Sequence, residues 1–365
     1  MNFLAATEST FIVAASLYFI HLMSFLKLIL LKQSTNSVPP TYPFASVLIC
    51  AKNEATNLKN YLPIILNQDY LNFEVVVIND QSSDESLSVL HDFQKKNSRL
   101  KVFTTSGESS KKKALALAKK EASGTVYVLT DADCKIASEN WLSKMITKME
   151  DSAEVVLGYA PYKNKSGFLN QLQGFETLTT AMQYFTAALF GSPYMGVGRN
   201  LAYTKQIDTN IKFTKKENQL LSGDDDLWIQ KAKKHTQIQI QLDQDTFAYS
   251  EAEPTFTSWW NQKKRHITTA NQYSWKDQMI LSSIFLTKFL FWTCSFILFF
   301  TSLRLQFWLL FFVVITALML VYKSTTHKLK EEIAWWLTPI LDFSLIYFQF
   351  CLFISNLVSP ITKWK

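Results

Sequence analysis

Charge is scarce in this chain. Only 18% of the 365 residues are Asp, Glu, Lys or Arg, low for a water-soluble enzyme, while 48% are hydrophobic and 28 are Phe. Cysteine is scarcer still: Cys50, Cys134, Cys294 and Cys351 are scattered without metal-like spacing. That scatter excludes a zinc site or a disulfide framework and leaves inert thiols of a reducing compartment. Basic residues are also missing ahead of the first apolar run, at 11–31. The run is longer than a signal-peptide core of about 7–15 residues, so it is expected to be an uncleaved anchor.

What the chain does have is long apolar stretches. Beyond 11–31, residues 280–322 are apolar with a break near Arg304 and Gln306, and a third block covers 335–358. A hydrocarbon core takes roughly 20 apolar residues of helix, so four membrane helices are expected, one N-terminal and three C-terminal. The net charge of +7 suits contact with anionic membrane lipids. Its clusters at 111–113, 212–216, 231–234 and 263–265 could also read as a nucleic-acid surface, which the flanking spans argue against. Lys27, Lys32, Lys323, His327, Lys328 and Lys330 place the central region on the cytoplasmic side, with Lys363 and Lys365 a small violation.

The central region has the rhythm of an α/β domain. Short apolar or β-branched runs at 45–51, 73–80, 100–104 and 125–130 alternate with helical patterns at 54–68, 82–97 and 109–122. Such alternation implies a mostly parallel sheet, whose ligands bind beyond the carboxyl ends of its strands. Three of these ends are polar: Lys52-Asn53-Glu54, Asn79-Asp80 with Ser82, Ser83 and Asp84, and Asp131-Ala132-Asp133. They are expected to converge on one cleft. The division expected is an anchor at 1–32, a linker at 33–44, a catalytic domain at 45–275 and three spans within 280–358. Helices near 167–190 and 257–275 are expected at the membrane interface, with an amphipathic core helix the alternative for the first.

Several constellations carry chemistry beside a plainer reading. Asp131 and Asp133 flank one residue after a strand and can turn both carboxylates to one point, a setting that suits Mg²⁺ or Mn²⁺ with phosphate oxygens. Asp80 can accept from a base or a ribose, or close an Asx turn. Glu54 is either a ligand or an electrostatic complement to a helix N-terminus. One of the lysines 111–113 reaches the cleft to offset phosphate charge; Lys112 stands for the group. Gly198, in Gly196-Val197-Gly198-Arg199-Asn200, allows close backbone approach to a ligand, or simply makes a turn. Asp224, Asp225 and Asp226 open a helix with more acid than capping needs, and one could deprotonate an acceptor hydroxyl. Trp259 through His266 combines aromatics and bases shortly before a span, an interfacial anchor or an anion and acceptor site.

In this order the pieces resemble the family 2 glycosyltransferases of GT-A fold, in the membrane-embedded branch of cellulose, chitin and hyaluronan synthases and ceramide glucosyltransferase. The resemblance covers about residues 45–275. It implies that Asn53, Glu54 and Asp80 bind the nucleotide and that Asp131 and Asp133 hold the metal. The catalytic base falls on Asp224 by spacing to Leu227, with Gly223 replacing a Glu; aligning the paired acids favours Asp225. Gln262, Arg265 and His266 match a Gln-x-x-Arg-Trp motif, with His for Trp. Gln262 and Arg265 are then implied in donor binding, and Gly198, Asn200 and His266 in acceptor binding. The implied reaction is an inverting transfer from a nucleotide sugar, expected to be a UDP-sugar, to a lipid or glycan acceptor. Because of His266 and only three C-terminal helices, a single addition is expected rather than extrusion of a polymer. Transfer to polyprenyl phosphate, or a catalytically inactive membrane scaffold, are the other readings.

Overall fold

The computed structural model describes residues 3–32, 43–107, 109–149, 153–214, 217, 220, 223, 225–302 and 304–359. Asp224, most of the 33–44 linker, part of the 212–216 basic cluster, Lys363 and Lys365 lie outside them. The order begins with helices α1 (Phe3–Ser24) and α2 (Leu26–Ile29). Then come β1 (Ala45–Ala51), α3 (Ala55–Leu66), β2 (Phe73–Asn79), α4 (Ser86–Lys96), β3 (Leu100–Thr104), α5 (Lys111–Glu121) and β4 (Val126–Leu129). β5 (Lys135–Ile136), α6 (Trp141–Ile146), β6 (Val155–Gly158), α7 (Phe168–Leu189), β7 (Leu201–Thr204), α8 (Lys205–Asn210) and α9 (Asp226–Ala232) continue the chain. It ends with β8 (Ile238–Gln241), β9 (Ala248–Tyr249), α10 (Phe256–His266), α11 (Trp275–Thr301), α12 (Leu305–Leu329) and α13 (Thr338–Val358).

Two compact units emerge. The first comprises Met1–Leu31, Asn164–Thr186 and Glu253–Lys365; the second comprises Lys32–Lys163 and Ala187–Ala252. The second holds a seven-stranded sheet of order β3-β2-β1-β4-β7-β6-β8. β3, β2, β1 and β4 run parallel, as expected, because each strand returns through a helix. β7 is antiparallel to both β4 and β6, while β6 and β8 are parallel to each other. Every residue of β2 is buried, as are all but one of β1, which is why both appear in the sequence as continuous apolar runs. Leu58, Leu62 and Ile65 of α3 and Leu90 of α4 complete the core on one face, with Trp141 and Leu142 of α6.

At the amino end of the sheet a buried polar cluster locks the strands. Glu74 of β2 accepts from Ser46 Oγ at 2.6 Å and from the Ser123 amide at 2.5 Å, and it pairs with Lys101 at 2.6 Å. Gly124 donates its N–H to Ser46 Oγ, and a Cβ there would lie 2.6 Å from that oxygen and 2.7 Å from the Phe44 carbonyl. Only glycine fits so close an approach.

The first unit contains the apolar helices. Among the described residues four segments are long and apolar enough to cross a membrane: Phe3–Ile29, Trp275–Thr301, Leu305–Leu329 and Trp335–Val358. The number and the one-plus-three arrangement match expectation. Most of the 167–190 segment and all of 257–275 group with these helices. There Trp259 of α10 stacks on Phe348 of α13 with centroids 4.0 Å apart, and Lys263 pairs with Glu176 of α7 at 2.5 Å.

Candidate active site

Neighbouring parallel strands β2, β1 and β4 bring their carboxyl ends together. Asn53, in the left-handed region at φ 57°, donates its N–H to Ser82 Oγ, while its side-chain oxygen accepts from the Ser83 amide at 2.8 Å. It therefore clasps the β1 end to the β2 end. Asp84 accepts from the amides of Ala55 and Ser86, capping α3 and α4 at once. Glu54 does not cap α3 with its side chain. Burial first, and then the nearby charges of Asp133, Asp131 and Asp84, hold its carboxyl above the ordinary range despite a hydrogen bond from Asn57. Glu54 thus belongs electrostatically to the aspartate pair.

Asp80 is buried and accepts from two hydroxyls, Thr105 Oγ1 and Ser109 Oγ, each at 2.6 Å. Lys52 in turn donates to Ser109 Oγ at 2.8 Å. Each carboxylate oxygen has two lone pairs, so this arrangement fixes Asp80 without exhausting it.

Beyond β4 the chain turns tightly, with the Cys134 amide donating to the Asp131 carbonyl at 3.1 Å. Lys111, the first residue of α5, donates to both Asp131 oxygens at 2.7 and 2.9 Å. Lys112 points elsewhere, to the carbonyls of Glu217 and Leu220. The lysine on the carboxylates is therefore Lys111, a choice the sequence left open. A cavity of about 30 Å³ joins Lys111, Thr130, Asp131, Gly198 and Asp225. Asp225 caps α9, accepting from the Asp226 amide, and its other oxygen accepts from the Gly198 amide at 2.6 Å. A Cβ on Gly198 would stand 3.2 Å from that oxygen, a tight contact that the Asp225 side chain would have to relieve. Asp225 thus shares one cavity with Asp131.

Asn200, expected in acceptor binding, has its side chain engaged within the fold. It is fully buried, accepting from Trp141 Nε1 at 3.0 Å and donating to the carbonyls of Tyr159 and Thr246 at 2.8 and 2.7 Å.

Among the described residues no group of three or more His, Cys, Asp and Glu side chains is placed to hold a metal ion by itself. Asp131 and Asp133 are the candidate pair, and they would leave phosphate and water oxygens to complete a metal's shell. The pair fits that role. Burial, and then the adjacent Asp131, push the half-buried Asp133 carboxyl upward, against the pull of Arg199 and Lys111. Two crowded hard-oxygen anions are what a small divalent cation relieves.

Residues 46–208 match the family described as Glycosyl transferase family 2. Over those residues the chain matches a family 2 glycosyltransferase domain. Similar curated proteins include an uncharacterised glycosyltransferase of Haemophilus influenzae, 32% identical over 31% of this chain and 35% of its own. A beta-monoglucosyldiacylglycerol synthase of Trichormus variabilis is 33% identical over 27% and 22%, respectively. A poly-beta-1,6-N-acetyl-D-glucosamine synthase of Staphylococcus epidermidis is 30% identical over 36% and 32%. The matched region spans about a fifth to a third of the length of these relatives. In fold, the chain resembles a mannosyltransferase of Pyrobaculum calidifontis solved with GDP-mannose and Mn²⁺, with a TM-score of 0.62, 16% identity and 97% coverage of both chains. The α/β unit is a GT-A fold.

The family match spans Asn53, Glu54, Asp80, Asp131, Asp133, Gly198 and Asn200, and stops before Asp225 and α10. Within the glycosyltransferase domain, Arg199 was missed by sequence reasoning. Its guanidinium donates to Ser250 Oγ and lies 5.2 Å from the Tyr162 ring centroid. Burial pulls it down, but Tyr162, Cys134 and the two aspartates more than reverse that and leave it above its usual value. Its position in a Gly-Val-Gly-Arg turn was the available signal. In the membrane unit, Gln262 donates to Glu253 Oε1 at 3.1 Å, Lys264 is buried, Arg265 is half-buried and His266 is exposed.

Proposed function

We propose that this protein is an inverting glycosyltransferase that moves a sugar from a nucleoside-diphosphate donor to a lipid or glycan acceptor at the cytoplasmic face of a membrane. The observation that carries the reading is the shared cavity of Lys111, Asp131, Gly198 and Asp225, beside the buried Asp80 and the carboxyl of Glu54. Asp80, oriented by Thr105 and Ser109, receives donors from the base or ribose. Asp131 and Asp133 hold Mg²⁺ or Mn²⁺, which when bound neutralises the leaving diphosphate. Arg199, close enough to the two aspartates to feel their charge, adds positive charge on the leaving-group side. An acid of the 224–226 run takes the acceptor proton as the hydroxyl attacks the anomeric carbon. Asp225 is the described candidate, since two backbone amides orient it and it faces the cavity of Asp131. The relatives that make glycolipid or polysaccharide support a lipid or glycan acceptor.

A donor screen tests this: the full-length protein in lipid nanodiscs, extracted membrane lipids as acceptor, nucleotide release with and without Mn²⁺ or Mg²⁺. Asp131→Asn and Asp225→Asn are each expected to lower transfer about 10²-fold or more. Only Asp131→Asn is expected to weaken metal-dependent nucleotide binding. Full activity of Asp225→Asn with loss in Asp224→Asn moves the base to Asp224. Product recovered as an acid-labile sugar-phosphate lipid identifies polyprenyl phosphate as acceptor. Absence of nucleotide binding under all metal conditions sinks the enzyme reading and leaves the scaffold.

A further inference from the structure

Lys111 is used in a way that phosphate binding alone does not explain. Its ammonium bonds both oxygens of Asp131, at 2.7 and 2.9 Å, covering the carboxylate that a metal ion would need. It is also the first residue of α5, where the exposed amides of a helix N-terminus disfavour a cation. Ser110, at the cap position, makes no side-chain cap bond that would offset the cost. Its neighbour Lys112 is tied to two backbone carbonyls, so the adjacent lysines have different tasks. The Lys111–Asp131 pair is partly solvated, with side chains 37% and 25% exposed. An ion pair of that kind is weak and exchangeable, and lysine carries a compact charge on a flexible stem.

We infer that Lys111 is an exchange cation: it occupies Asp131 while the site is empty, yields that carboxylate to an incoming divalent ion, and passes its ammonium to the donor diphosphate. The exchange keeps the site near charge balance throughout. The unloaded aspartates are partly neutralised by the ammonium. The loaded site adds two positive charges together with a diphosphate, and the displaced lysine meets that new anion. Metal and donor binding are thereby coupled through one side chain, each favouring the other. The inference rests on the reading of Asp131 and Asp133 as the metal carboxylates.

Calorimetric titration of the full-length protein with Mn²⁺ alone, and with UDP or GDP at saturating Mn²⁺, tests it. Lys111→Met is expected to bind Mn²⁺ roughly three- to fivefold more tightly in the absence of nucleotide, because the competing ion pair is gone. The same variant is expected to bind the nucleoside diphosphate roughly fivefold or more weakly once Mn²⁺ is present. Lys111→Gln repeats both measurements should the Met variant melt early. Unchanged or weaker Mn²⁺ binding in a folded variant overturns the exchange role, as does undiminished nucleotide affinity. A wild-type protein that binds neither Mn²⁺ nor nucleotide instead fails the broader assignment of the site.

Discussion

A carboxylate removed from water must regain its lost hydration from the protein, and β2 shows two ways of doing so at its two ends. Glu74 is satisfied by Ser46, the Ser123 amide and the Lys101 ammonium. Asp80, just past the other end, is held by two neutral hydroxyls. The first arrangement brings in a cation and serves the fold; the second leaves acceptor capacity on the carboxyl unused. Although burial pushes the Glu74 carboxyl up, Lys101, Ser46 and Ser123 outweigh it and hold it below the usual range. A carboxyl lowered on folding adds stability above its unfolded pKa of about 4.3, and that stability is lost as pH falls through the folded value. Glu74→Gln is therefore expected to lower the melting temperature at pH 7 and to flatten its decline on acidification below about pH 4.3. Melting curves in nanodiscs from pH 7 to 3 measure both effects; parallel wild-type and variant curves would refute the assignment.

At the scale of elements, what the sequence disclosed followed local periodicity, and what it hid depended on distant partners. The parallel strands β1, β2 and β4 stood out because burial on both faces makes them unbroken apolar runs. Their acidic ends were legible for the same reason: they fall where the runs stop. β7 was hidden as an antiparallel neighbour of β4, since Val126 meets Thr204 across a long insertion. For α10, expected at the membrane interface, the sequence did not disclose the partners: it stacks on Phe348 and pairs with Glu176. Asn200 shows the same limit for one side chain. Its glycine-bracketed setting resembles a ligand loop, but its three partners lie 41, 46 and 59 residues away. It joins β7 to α6 and to the segments carrying Tyr159 and Thr246. Asn200→Ala leaves a buried indole N–H and the Thr246 carbonyl without their partner, and is expected to cost roughly 2–5 kcal/mol. Denaturant titration would show that loss even if the strand-end carboxylates keep some nucleotide affinity; a shift below about 1 kcal/mol would contradict the supporting role.

Across the molecule, hydropathy located the four apolar helices but did not reveal what joins them. In the membrane unit Asp342 of α13 is completely buried and forms an ion pair with Lys288 of α11. Its other oxygen accepts from Tyr18 of α1 at 2.7 Å and from Trp292 of α11 at 2.8 Å. One carboxylate thus links three helices that composition alone shows only as long enough to span. Glu8 of α1 and Arg304, at the turn between α11 and α12, add a second pair at 2.8 Å. In hydrocarbon, a lone charge costs several kcal/mol, whereas a matched and hydrogen-bonded pair does not leave that deficit. Removing one partner is therefore worse than removing both. Asp342→Ala is expected to cost roughly 3–5 kcal/mol by stranding Lys288, and Lys288→Met a comparable amount by stranding Asp342. The double variant Lys288→Met with Asp342→Leu is expected to recover most of the loss, because apolar side chains of similar size suit the same space. Melting temperatures of the four proteins in one lipid composition form the cycle. Additive losses would show that the two charges act independently, whereas recovery in the double variant would show that the pair itself contributes little net stability.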